Sequence, residues 1–221
     1  MSIGSLWLRF MFSAKPFASD DLDDLASRMS ALPMMSKDRN DRWFRGRGTT
    51  AYSTATRVIF GRDLDERLSD GQRRAVAAHE LVHVRERDAS YANWHIRIPS
   101  LVIAALAYLL TLWWLRSTLP EGIFMTGELI FSVLPAVFML IIAIVVFRLL
   151  ARPWRRRAEV RCDVIAASVV SPDDLISALR IQEGLLTPKM RKAIAYRLWK
   201  GEYPPHGERE RAIREHLDRQ P

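Results

Sequence analysis

A chain of 221 residues with 49% hydrophobic and 26% charged residues has the length of one domain, or one and a half, and is neither disordered nor collagen-like. A net charge of +8 raises nucleic acid as a partner, but six arginines against one glutamate crowd into residues 148–161, with no recognition motif or interleaved aromatics, which argues for no nucleic acid. A single cysteine, Cys162, excludes an internal disulfide framework and a Cys-rich zinc finger.

In chain order, residues 1–18 form an N-terminal segment whose apolar stretch, Leu6 to Phe12, is too short for a membrane span and is interrupted by Arg9. It reads as packed in the core or resting at a membrane interface. From Ser19, SDDLDDLASRMSAL predicts a helix with acidic residues in its first turn. Arg42 to Gly48 is polar and punctuated by glycine, which predicts a loop. TAYSTATRVIF, ending at Phe60, is rich in β-branched and aromatic residues and predicts one strand. Gly61 to Leu68 turns the chain. Ser69 and Gln72 then form a capping box that starts a helix running to about Arg87.

Pro99 to Leu115 and Leu129 to Phe147 carry no charged residue. As helices they extend about 26 and 29 Å, close to the ~30 Å hydrocarbon thickness of a bilayer. Trp94, Trp113, Trp114 and Trp154 lie near their ends, where interfacial aromatics gather. Helices apolar on all sides would need a far larger soluble domain to cover them, so the pair predicts a transmembrane hairpin. Arginines flank it on the outer ends, at Arg85, Arg87 and Arg97 and again from Arg148 to Arg161, while the link Arg116 to Glu128 holds one arginine and two glutamates. The positive-inside bias therefore places the soluble segments in the cytoplasm. Beyond the hairpin, Arg155 to Val170 predicts a helix, Ser171–Pro172 starts another, Thr187–Pro188 a third ending near Gly201, and a last one covers Gly207 to Leu217. The fold class expected is mainly α with a small β-sheet (α+β). Its divisions are 1–18, then 19–97 as the first half of the soluble domain, 98–150 as the hairpin, and 151–221 as the second half.

The chemistry concentrates in HELVH, residues 79–83. Residues four apart differ by about 400° of rotation, so His79 and His83 project from one helix face a turn apart, as two ligands of one zinc ion require. Glu80 is offset by about 100° from His79, near enough to act as general base on a water without joining the ligand pair. A catalytic zinc needs a third protein ligand. Glu86 shares the histidine face, but three ligands on one rigid helix surround a metal poorly, and it reads as a solvated charge. Glu159 and Asp163, four apart after the hairpin, are better placed: Glu159 to complete the site, Asp163 to accept the second N–H of a ligating histidine and set its tautomer.

With these residues in place, the chain from about Thr50 to Arg211 resembles the membrane zinc metallopeptidases of the HtpX and CAAX-prenyl-protease type. The resemblance lies in an N-A-[FY]-like strand at Thr50–Tyr52, the H-E-x-x-H motif, the hairpin, E-x-x-x-D at Glu159–Asp163, and YPPHGER at Tyr203–Arg209 in place of H-P-P-x-x-E-R. It implies a zincin-type domain interrupted by the hairpin, one Zn2+ on His79, His83 and Glu159, Glu80 as base, and Asp163 behind a zinc histidine. Arg209 falls on the family arginine. Three positions depart from the family pattern: Thr50 stands for Asn, Tyr203 for His, and Cys162 for a small residue. The family Asn and His are thought to stabilise the tetrahedral oxyanion, and a tyrosine O–H can donate the same hydrogen bond.

The function expected is a membrane-anchored zinc endopeptidase that cleaves membrane or misfolded proteins at the cytoplasmic face. Glu80, Tyr203 and Arg209 would form its catalytic set, and the bilayer and a protein or peptide substrate its partners. The strand from Arg57 to Phe60 is a candidate to bind extended substrate by strand addition. The alternative is a metallopeptidase-like membrane sensor with regulated or lost proteolysis, as in penicillin-sensing proteins of the BlaR type. The sequence leaves the physiological substrate and the oligomeric state open.

Overall fold

The computed structural model describes residues 13–87, 98–118, 128–185 and 203–219. The expectations for Leu6–Phe12, Trp94–Arg97, most of the link between the apolar runs and the helix from Thr187 to Gly201 lie outside them. The chain divides into two compact units, Met1–Ala89 with Arg155–Pro221, and Ser90–Trp154.

In the first unit, β1 (Lys15–Phe17) leads to α1 (Asp20–Arg28), whose Ser19 Oγ accepts from Leu22 N at 3.3 Å. The helix ends at Arg28 rather than running on to Leu32, because Ser30 adopts φ +56° and Pro33 follows in a short 3₁₀ turn. Next come β2 (Trp43–Gly46), β3 (Ala51–Ser53) and β4 (Val58–Gly61), in a four-stranded sheet ordered β1-β2-β4-β3. The expected loop at Arg42–Gly48 is thus largely a strand. Trp43 and Phe44 are fully buried, and β2 pairs in parallel with β4, Phe44 opposite Ile59. Within the strand only Arg45 is polar; it faces outward and pairs with Asp65.

The single strand expected over TAYSTATRVIF is a hairpin. Thr54 N donates to the Arg57 carbonyl at 2.8 Å, and β3 runs antiparallel to β4 with Tyr52 opposite Ile59. This puts β4 inside the sheet, between β2 and β3, so Arg57–Phe60 has no free edge for a substrate strand; the edge strands are β1 and β3. Gly61 closes the turn back to β3. Its N–H donates to the Thr50 carbonyl at 2.9 Å, and a Cβ there would collide with the backbone of Gly48 and Thr50.

After the short helix α2 (Arg62–Asp65), α3 (Asp70–Glu86) begins at the expected capping box. Gln72 N donates to Ser69 Oγ at 3.2 Å, and Ser69 N to Gln72 Oε1 at 2.9 Å. It ends at Arg87 in the left-handed region, φ +55°. From Ala75 to Val82 every residue of α3 is buried, and the small side chains Ala75, Ala77 and Ala78 let neighbours approach closely. Leu22 and Leu25 of α1, Trp43 and Phe60 of the sheet, and Leu81 of α3 share one core with residues of three further helices. These are α5 (Glu128–Ala167) with Cys162 and Ala166, α6 (Pro172–Gly184) with Leu175 and Ala178, and α7 (His206–Leu217) with Ile213. Gln72 Nε2 also donates to Ser177 Oγ at 2.8 Å, tying the start of α3 to α6.

The second unit holds α4 (Ile98–Thr118) and the apolar part of α5. Both helices are long and apolar enough to cross a membrane, and their apolar stretches are almost wholly exposed rather than packed as a soluble core would be. The Thr111 hydroxyl donates back to the Ala107 carbonyl at 2.8 Å, which hides it from an apolar solvent. The helix expected to start at Arg155 has no break before it. One helix of 40 residues runs from the second apolar stretch through Glu159 and Asp163.

Candidate metal centre

His79 lies in the buried run of α3, and His83 one turn further on is half-buried. Their ring centroids are 4.9 Å apart, with the planes at 80°, and the two Nε2 atoms face one another at 3.2 Å. Glu159 of α5 meets both: Oε2 lies 3.3 Å from His79 Nε2 and Oε1 3.5 Å from His83 Nε2. The histidine contacts use different carboxylate oxygens, and one donor atom from each residue lies within 4.8 Å of the others.

Four ligands placed tetrahedrally about 2.0–2.1 Å from a zinc ion stand about 3.3–3.4 Å apart. Two of the separations here, 3.2 Å between the two Nε2 atoms and 3.3 Å from His79 Nε2 to Glu159 Oε2, are close to the edges of such a tetrahedron. Two imidazole nitrogens and a carboxylate converging at these distances present lone pairs to a common point, and that donor set fits Zn2+.

Around these donors lies a second set of contacts. Asp163 is fully buried, and its Oδ1 lies 2.8 Å from His79 Nδ1, an ion-pair distance rather than an aligned hydrogen bond. Arg209 of α7 donates through Nε and Nη2 to Asp163 Oδ2 and Oδ1, at 2.5 and 2.6 Å, a bidentate fork. Its Nη2 also lies 3.6 Å from Glu159 Oε2. The guanidinium expected in the catalytic set is directed at the carboxylate behind His79. Cys162, one residue before Asp163, places Sγ 3.4 Å from His83 Nδ1. In the sequence Cys162 stands out only as a departure from the family's small residue. The signal was nevertheless there, since a residue three beyond Glu159 shares its helix face.

Burial opposes charge throughout this cluster, and the partners outweigh it. For His79, desolvation works against the imidazolium, but Asp163 and then Glu159 push its pKa up to about 9. Desolvation would raise Glu159, yet hydrogen bonds from His79 and His83 and the Arg209 charge hold it well below the usual carboxylate range. Asp163 is likewise held low, by the charges of Arg209 and His79 against its burial. Two more of the expected residues complete the surroundings. Glu80 is buried beside His79 in α3. Tyr203 is half-buried, and its phenol is pushed up by desolvation and then by the negative charges of Glu159 and Glu80. Thr50 enters the structure through its carbonyl, which accepts from Gly61. Glu86 pairs with Arg85 at 3.0 Å and lies 4.0 Å from Arg161.

Residues 39–216 match the family model of Peptidase family M48. The crystal structure of S. mikatae Ste24p superposes with a TM-score of 0.54 over 96% of this chain at 16% identity, which shows a shared fold. This chain covers 53% of that one, so it spans about half its length. No curated protein matches the chain in sequence.

Proposed function

The chain belongs to peptidase family M48, of the HtpX and CAAX-prenyl-protease type, and on that premise we propose that it is a zinc-dependent endopeptidase acting at a membrane surface. One observation carries this reading: His79, His83 and Glu159 converge at ligand spacing with the buried Glu80 beside them. His79, His83 and Glu159 would hold the ion. Held by these three side chains, zinc would supply Lewis acidity that lowers the pKa of water from ~15.7 toward ~7.

The chain's own residues perform the remaining steps. Glu80 takes the proton of the water that attacks the scissile carbonyl, then returns it to the leaving amine. The Tyr203 hydroxyl, kept protonated by its surroundings, donates to the oxygen that becomes negative in the transition state. Arg209 acts at one remove: its fork holds Asp163, which steadies the His79 ring. An extended substrate would lie along β3, an edge strand of the sheet among the described residues. Backbone pairing of that kind reads side chains little, so sequence preference should be loose. The arginines from 152 to 161, following an apolar stretch, favour a cytoplasmic active unit anchored against anionic lipid.

The test uses the full chain purified in detergent, with its zinc content and its cleavage of a model membrane substrate measured together. Glu80→Gln should keep zinc and lose turnover by about 10²–10⁴-fold. Full activity in that variant would overturn the assignment of the base.

A further inference from the structure

We propose that Cys162 is a positioning residue for the metal centre: its sulfur accepts the Nδ1–H of His83 and fixes that ring as a ligand. This inference rests on the metal-site reading and adds to it a residue at a position where this chain departs from its family's usual small side chain.

The His83 ring meets different neighbours through its two nitrogens. Its Nε2 faces the other donors, 3.2 Å from His79 Nε2 and 3.5 Å from Glu159 Oε1. Its Nδ1, on the other side of the ring, faces Cys162 Sγ at 3.4 Å. A neutral imidazole that gives its Nε2 lone pair to a cation carries its proton on Nδ1. The Nδ1–H then needs an acceptor, and a sulfur at 3.4 Å is within reach of one. The thiol is fully buried and packed within the core, so its position is fixed by its neighbours.

Each histidine is thus backed by a residue from one turn of α5: His79 by Asp163 and His83 by Cys162. The same helix supplies the carboxylate donor, Glu159, three and four residues earlier. The two supports differ in kind. Asp163 is a charged acceptor reinforced by the Arg209 fork, whereas sulfur is a weak acceptor. His79 is the firmly held ligand, and His83 the one whose orientation depends on a soft contact. The sulfur lies on the far side of the ring from the converging donors, which makes it a support and not a fourth ligand.

The experiment compares the full chain with Cys162→Ala and Cys162→Ser in detergent, by zinc competition against a chromophoric chelator and by the absorption spectrum of the Co2+-loaded protein. Cys162→Ala should weaken zinc about 10-fold or more, the range seen when the group behind a metal histidine is removed. Cys162→Ser, which keeps an acceptor at the same place, should recover most of that loss. Thermal unfolding of the metal-free proteins is run alongside. An affinity loss matched by equal loss of stability in both variants would make Cys162 a packing residue only and overturn the proposal. Equal zinc affinity in the parent and Cys162→Ala would overturn it as well. So would a thiolate-to-cobalt charge-transfer band in the parent, which would put the sulfur on the metal. If the parent chain itself bound no zinc, the metal-site reading would fail first, and the two failures are distinguishable on that ground.

Discussion

In the unit that holds the candidate metal centre, Asp163, Glu159, His79 and Glu80 are all buried. In the hairpin unit, Leu110 and Trp113 are 65% and 70% exposed. One region takes charge away from solvent, and the other turns apolar surface toward it. Both arrangements run against the ordinary rule for a protein in water, and each is made tolerable differently. The buried charges are compensated by one another: Asp163 by Arg209 and His79, Glu159 by the two histidines. The exposed leucines and tryptophans need a different solvent, and a bilayer supplies one. Substitutions should therefore have opposite signs of effect in the two regions. Removing charge from the first unit should be costly, as should adding it to the second.

The largest effect is expected from Glu159→Gln, which takes away one of the three converging donors. Zinc should be lost on purification, read by metal analysis, while Glu86→Gln should retain it. The reverse pattern would move the third ligand to Glu86. Next in size, Asp163→Asn leaves the buried Arg209 fork facing a neutral amide. Breaking a buried pair from one side costs about 3–5 kcal/mol, and the nearness of Glu159 to Arg209 puts the expected loss near the lower end. Denaturant unfolding would measure it, and a change under about 1 kcal/mol would show that the pair does not compensate burial as argued.

In the hairpin, Leu109→Arg introduces a charge midway along α4. Facing lipid, it should oppose insertion by about 2.5–3.5 kcal/mol, seen as a smaller membrane fraction on flotation. An unchanged membrane fraction with better solubility would mean that this surface meets water. The smallest effect concerns local structure alone. Ser69→Ala removes one half of the capping box and should lower stability by about 1 kcal/mol by thermal unfolding, without changing zinc affinity.

How much could be read beforehand differs from residue to residue. The start of α3 was legible because Ser69 and Gln72 satisfy each other's backbone within four residues, with no help from the rest of the chain. The two apolar runs were legible because composition alone decides whether a helix can face lipid. β2 was not. Its glycine and arginines look like a loop, and it becomes a strand because β4, twelve residues further on, offers a parallel partner that buries Trp43 and Phe44. Nor was the break between β3 and β4 visible, since Thr54–Arg57 carries no glycine, proline or asparagine to mark a turn.

By itself the sequence determined which side chains could share a helix face, because α-helical rotation is a local property: His79 with His83, and Glu159 with Cys162 and Asp163. It determined in the same way that two stretches are too apolar to stay in water. Only the tertiary structure decided that these two faces meet, with Glu159 within 3.5 Å of both rings, Arg209 on Asp163, and Cys162 behind His83. The physical reason is that such meetings depend on how the core packs α3, α5 and α7 together. That is a sum over many distant contacts, which no short run of residues encodes.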